Sequence, residues 1–264
     1  MKLAQTRAVR WAARLSDRMH AHQVSEQATV IAFNIVYSLF PLALSLTAIG
    51  GFLVRGAAER AVLLAEIRAA FPAQLAREMV DVVNAAGSYP GLFGLVGFAS
   101  LLLAGSNLFA AIEVSFARIF GVPPRGIVHQ RAVAVLMILA FSVLLIVSVT
   151  ASDLAVFLVG GPYLGLAGGW VVATLMQLMI YAVIPNVKVP FRALWPGAVL
   201  AGTAMQVITL VFPLYIRFFA GFNRFGDAFS LVFLVMTWAY FLAFILLAGA
   251  EVNAMRYADA GGGR

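Results

Sequence analysis

Amides set in long uncharged runs are the first residues of this chain whose type could do chemistry. Asn34 and Asn107 each sit in a stretch without a charged side chain, and Gln177, Gln206 and Thr237 fall near the middle of three later apolar runs. A polar group in hydrocarbon is costly unless something answers it. Such residues therefore bond helices together or line a path for a solute or ion. Tyr37 and Ser38 stand just before Pro41 in the same run as Asn34 and could line that path. A second group, Asn186, Arg192, Glu251 and Asn253, with Glu113 and Arg118, gathers where the runs end on one side. Arg192 and Glu251 are a candidate ion pair within it. Asp153, Arg217, Arg224 and Asp227 are candidate charges on the opposite side. The plainer reading of every group is structural: helix glue, end caps and interfacial anchors.

Hydrolytic chemistry finds little footing. Cysteine is absent, which removes disulfides, thiolate nucleophiles and Cys-based zinc sites. The histidines are His20, His22 and the distant His129, and an i, i+2 pair diverges by roughly 200° around a helix. Metal-dependent phosphodiester cleavage needs clustered His and carboxylate ligands. No nucleophile elbow, P-loop or Walker motif is present either, so a self-contained ATP-driven pump is excluded. No catalytic residue, metal or cofactor is expected, and the chain is not expected to be an enzyme.

The elements that must position these residues follow from composition. Hydrophobic residues make up 63% of the 264 and charged residues 11%, against about 25% charged in a soluble domain. The run from Ile31 to Val54 is uncharged, and about 20 apolar residues suffice to cross a bilayer as a helix. Pro41 in its middle predicts a kink. Five more runs follow. The expected fold is an all-α integral membrane protein, six transmembrane helices in one bundle over 28–254. The spans fall at about 28–54, 91–112, 131–158, 165–184, 194–219 and 227–249. Residues 56–86 alternate apolar and charged side chains at helical spacing, broken by Pro72, and predict an amphipathic segment outside the membrane. Pro123 and Pro124 predict the end of a short interfacial helix after the second span.

Residues 1–27 read as a basic amphipathic helix. Arg7, Arg10, Arg14 and Arg18 lie on one side, and Trp11, Leu15 and Met19 recur beside them. This pattern suits the anionic lipids of a cytoplasmic leaflet. The formal charge of +7 does not indicate nucleic acid, because no aromatic platform accompanies the arginines and most other basic residues flank the spans. Of the 18 Lys and Arg residues, 12 fall in the two termini and the 113–131 and 185–193 links. Both termini, with a short tail at 255–264, are therefore expected in the cytoplasm.

Four blocks carry a family resemblance. They are AFNIVYSLFPLAL at 32–44, IYAVIPNVKVPFRALWPGA at 180–198, LVFPLYIRFFAGFNRFGDAF at 210–229 and TWAYFLAFILLAGAEVNA at 237–254. In order and spacing they resemble the YihY / virulence factor BrkB family, once labelled ribonuclease BN. Asn34, where an aromatic residue is common, and Ala117, where asparagine is usual, depart from the pattern. The resemblance implies a six-helix protein of the bacterial cytoplasmic membrane with a transport-related role in envelope or virulence physiology. A non-transporting envelope scaffold is the alternative, and the old nuclease label ranks last.

Overall fold

The computed structural model describes residues 7–53, 61, 64–65, 80–81, 90–159, 162–219 and 227–261, with side chains described mainly over 9–39, 102–141, 167–212 and 232–261. Every regular element among them is helical. In chain order they are α1 (Arg7–Ala21), α2 (Val24–Leu53), α3 (Pro90–Phe120), α4 (Ile127–Val159), α5 (Pro162–Val183), α6 (Phe191–Phe219) and α7 (Asp227–Asp259). Three stretches are long and apolar enough to cross a membrane: Leu102–Phe120 in α3, Phe191–Phe212 in α6 and Val232–Asp259 in α7. The expected amphipathic segment at 56–86 lies almost wholly outside the described residues.

Local chemistry sets several helix ends. α3 and α5 each open on a proline, whose fixed φ and missing N–H suit a first helical position. α3 stops at Gly121, which adopts φ +66, while the Val122 N–H reaches back to the Ala117 carbonyl at 2.9 Å. That six-to-one bond is a Schellman stop, and Pro123 and Pro124 prevent a restart. The short separate helix expected there is in fact the last turns of α3, because nothing before Gly121 breaks the hydrogen-bond ladder. The α1–α2 junction turns on Gln23, a non-glycine residue at φ 53. α7 runs past Gly249 to Asp259, so Glu251 and Asn253 stand inside a helix rather than beyond one.

Helices α2 to α7 form a closed ring. Each packs on the next, α7 returns against α2, and α7 also reaches α3; α1 lies across one end on α7 and α2. The core sits toward that end, where Val24, Ile31, Phe116, Tyr181, Ile184 and Leu247 are fully buried. The outside of the ring is apolar instead of polar. Phe33, Leu103, Leu136, Leu139, Val207 and Phe233 are all exposed, which reverses the arrangement of a water-soluble bundle.

The tightest seam joins α5, α6 and α7. A Cβ at Gly202 would lie 2.5 Å from Thr174 Oγ1 and 2.8 Å from its Cα, and one at Gly197 would lie 2.2 Å from the Gly249 carbonyl oxygen. Small residues let helices approach this closely where lipid removes any hydrophobic drive to associate. Replacing Gly202 by valine should therefore force α5 and α6 apart and cost at least about 1–3 kcal/mol, the usual range for overpacking. Gly168 offers an internal control, because an added Cβ meets nothing within 4 Å. In detergent melts, Gly202→Val should lower Tm and monodispersity while Gly168→Ala leaves both unchanged.

Candidate functional site

All six helices of the ring line a pocket of about 390 Å³ that stays partly open to the surroundings. Ile31, Ile35 and Ser38 come from α2, Gly105, Leu108, Phe109 and Ile112 from α3, and Ile138 and Phe141 from α4. Met176 and Ile180 of α5, Met205 of α6, and Leu242, Ala243 and Leu246 of α7 complete the wall. Among the described residues the lining is apolar apart from Ser38, whose hydroxyl donates to the Ile35 carbonyl of its own helix at 2.7 Å. At the edge stands Gln177, 1% exposed, with Nε2 on Met205 Sδ at 2.9 Å and Oε1 without a hydrogen-bond partner among the described residues.

Toward α1 the cavity ends in a packed layer and then a layer of charge. Tyr181 is buried there and donates its hydroxyl to the Leu246 carbonyl at 2.8 Å. One turn further along α7, the Glu251 side chain has no solvent exposure. Arg18 Nε donates to Glu251 Oε2 at 3.0 Å, and the His22 ring reaches Oε1 through Nδ1. Arg18 also donates to the Ile119 carbonyl at 3.4 Å, which ties α1 to α3 as well as to α7. A second carboxylate, Glu113 of α3, is 2% exposed and accepts the Arg125 N–H at 2.8 Å. The Arg125 guanidinium donates to the carbonyls of Val183, Ile184 and Pro185, so it covers the orphan acceptors at the C-terminus of α5. Asn253 accepts the Gly197 N–H at 2.9 Å and fastens α7 to α6.

The residues singled out from sequence separate into those this site uses and those it does not. Glu251, Asn253 and Gln177 are buried at or beside it, Ser38 lines the cavity, and Pro41 is buried in α2. Arg192 is exposed, and the expected Arg192–Glu251 pair does not form. The carboxylate takes Arg18 and His22 instead, because α1 folds across the end of the ring and brings both within reach. Tyr37, 59% exposed and stacked on Phe33, faces outward and not into a path, since residues 31, 35 and 38 already occupy the inner face of α2. Asn107 is also exposed. Asn34 spends its amide on the Val30 carbonyl one turn back, at 2.9 Å. Asn186 is exposed and donates to the Pro123 carbonyl at 3.2 Å, which fastens one link to another. Gln206 packs where a Cβ on Gly169 would lie 3.3 Å from its Oε1. Arg224 lies outside the described residues, as do the side chains of Asp153, Arg217 and Asp227. Arg18, His22 and Arg125 are the contributors that sequence reasoning missed; a carboxylate among apolar residues at 251 calls for a cation, and Arg18 and His22 share one helical face.

Residues 15–262 match the virulence factor BrkB family, and the chain belongs to that family. Among its relatives is a UPF0761 membrane protein of Chromohalobacter salexigens, 26% identical over 260 residues, or 91% of this chain and 61% of the relative. A UPF0761 membrane protein of Chromobacterium violaceum is 34% identical over 94 residues, covering 34% of this chain and 22% of its own length. A Bacillus subtilis protein named ribonuclease-like protein YfkH is 28% identical over 90 residues, a third of either chain. The chain thus spans less than two thirds of the length of these relatives. No solved structure matches it.

Removing one partner from a buried ion pair is costly because the other charge stays in the interior; typical losses are about 3–5 kcal/mol. Arg18→Ala should fall toward the lower end, since His22 still holds Glu251. Adding Glu251→Gln should recover part of the loss. Thermal melts of the two single variants and the double variant form the cycle that checks this. Proteolysis within α1 should accelerate in Arg18→Ala. Equal protection in all variants would mean that the pair does not hold α1.

Proposed function

We propose that this BrkB-family protein is a multi-pass protein of the bacterial cytoplasmic membrane with a transport-related role, moving a small solute, an ion or a lipid. In this reading α2 to α7 are the six membrane crossings of a single domain, and both termini lie in the cytoplasm. The observation that carries it is the cavity at the centre of the ring. A pocket left unfilled forfeits packing contacts along its walls, so a bundle that served only as a scaffold would be more stable with larger side chains filling it. Ligand sites of known proteins have volumes of about 300–1,000 Å³, and this cavity falls within that range at about 390 Å³.

Orientation rests on the distribution of Lys and Arg, most of which fall on the α1 side. The Arg18–Glu251–His22 cluster then closes the cavity on its cytoplasmic side. The rest of α1, including Arg7, Arg10 and Arg14, meets the anionic leaflet. In this topology the amphipathic 56–86 segment and the charges Asp153, Arg217, Arg224 and Asp227 fall on the outer side of the membrane. Family naming supports a place in envelope or virulence physiology. The nuclease-like name of the Bacillus relative is not taken to extend to this chain, which is proposed to have no enzymatic activity and no nucleic-acid partner. Purified protein should cleave no RNA with or without divalent metal.

Two measurements test this reading. With one cysteine introduced into the Cys-free chain, Ala258→Cys should label with an impermeant maleimide only after the membrane is opened. Labelling in intact cells would invert the topology. In proteoliposomes, the wild-type protein should accelerate movement of at least one solute, ion or lipid from a panel, and Arg18→Ala should change that rate. Movement of none, together with an intact cellular phenotype after Gln177→Leu and Ser38→Leu, would favour a scaffold.

A further inference from the structure

The wall of the cavity narrows what it can hold. An ion or a hydrophilic solute brought into it would lose its hydration and, among the described lining residues, find no charged side chain in exchange. Among the described residues the one polar lining side chain, Ser38, already donates to Ile35, and the nearest amide, Gln177, donates to Met205 and offers its Oε1 as a single unpartnered acceptor, where an ion or a water needs several partners. Uncompensated burial of this kind costs several kcal/mol for a polar group and far more for a charge. Polar selectivity sites are built the opposite way, from rings of carbonyls or charged side chains. Water is no better served, because it needs several polar partners to occupy a cavity. An apolar chain, by contrast, gains dispersion contacts with every wall. A cavity of about 150 Å³ lined by Leu, Ile and Phe is already known to stay dry and bind benzene, and this one has more than twice that volume.

The surroundings supply such a chain. The outer face of the ring is as apolar as the inner one, at Phe33, Leu103, Leu136, Leu139 and Val207, so a membrane presents hydrocarbon to it on all sides. We infer that the cavity is a binding site for one acyl chain of a membrane lipid, which makes the substrate class a lipid and leaves solutes and ions out. This rests on the membrane-transport reading given above and deepens it. The charged layer at Glu251 lies beyond the packed floor of the cavity. It closes that end to the chain without touching it.

The test uses the full chain in nanodiscs containing a trace of phosphatidylethanolamine with a diazirine midway along one acyl chain. After irradiation, labelled positions are read at single-residue resolution. The cavity site predicts saturable label on Ile35, Ile138, Met176 or Met205, competed by excess unlabelled lipid. Label confined to outward residues such as Phe33, Leu103, Leu139 and Val207 would overturn the inference, because that is the pattern of bulk lipid alone. Ala243→Leu should shrink the cavity by about two methylenes of contact and reduce saturable labelling about tenfold. Ser38→Leu does the same from the neighbouring helix α2, should Ala243→Leu fail to fold. Leu103→Ala on the outer surface should leave the cavity label unchanged. The two readings fail separately. Cavity labelling without lipid movement in proteoliposomes would sustain the acyl-chain site and remove the transport role. Transport of a polar solute with no cavity labelling would do the reverse.

Discussion

A carboxylate with no solvent exposure, set in a mostly apolar helix, is the constraint from which much of this structure follows. Glu251 must be answered by cations or be neutralised, because burying an isolated charge costs far more than a folded protein can absorb. The partners, the Arg18 guanidinium and the His22 ring, come from outside the ring. Arg18 and His22 belong to α1, and both can reach Glu251 only if α1 lies across the end of the bundle. α7, which carries Glu251, packs against α2, α3 and α6. A single buried carboxyl group therefore fixes the N-terminal helix relative to most of the ring. Glu113 repeats the device: its partner Arg125 comes from the link after α3 and uses the rest of its guanidinium to cover the end of α5. The exposed Arg14–Asp259 pair, 3.3 Å apart at the rim, adds little beside these, as surface pairs commonly do.

The cavity exists beside this well-satisfied end for a reason particular to membranes. In water, an apolar void in a bundle is closed by the hydrophobic drive that packs helices together. In lipid that drive is absent, and association depends on close contact and interhelical hydrogen bonds. The contacts here are uneven. Gly197, Gly202 and Gly249 draw α5, α6 and α7 together until backbone meets backbone, whereas the side chains facing the centre are larger and leave room between them. The same sequence thus builds a tight seam on one side and a chamber beside it.

The sequence made the helical character and the approximate helix positions legible, because uncharged runs of twenty or more residues admit few other structures. Helix ends were less so. Nothing before Gly121 marks Glu113 and Arg118 as interior to α3, and nothing at Gly249 ends α7, so glycines and charges that looked like boundaries proved to be packing contacts and buried partners. The site was half legible. Glu251, Asn253 and Gln177 announced themselves as polar residues in apolar surroundings. Their partners did not, since Arg18 is more than two hundred residues from Glu251 and resembles its neighbours Arg10 and Arg14 in every local respect. Tyr37 misled because position along a helix was read without its face. Ile31, Ile35 and Ser38 turn inward, and on the same helix Phe33 and Tyr37 must then turn out.

These bonds are also distributed unequally around the ring. Among the described residues, α5 is held to α6 by Trp170 on Thr203 and by Gln177 on Met205, and to α7 by Tyr181 on the Leu246 carbonyl; α6 is held to α7 by Asn253. Separating the Gln177, Tyr181 or Asn253 bond leaves a buried donor or acceptor unpaired, at about 1–3 kcal/mol each, whereas Trp170–Thr203 lies on the exposed face and costs less. α4 meets α3 through Arg131 on Ser106 near one end, and its remaining described contacts are apolar, Phe141 against Phe109 among them. Apolar contacts can be exchanged for lipid contacts at small cost, because hydrocarbon packs against hydrocarbon on either side. Among the described residues, the polar bonds thus gather on the α5–α6–α7 side, which acts as the frame of the ring.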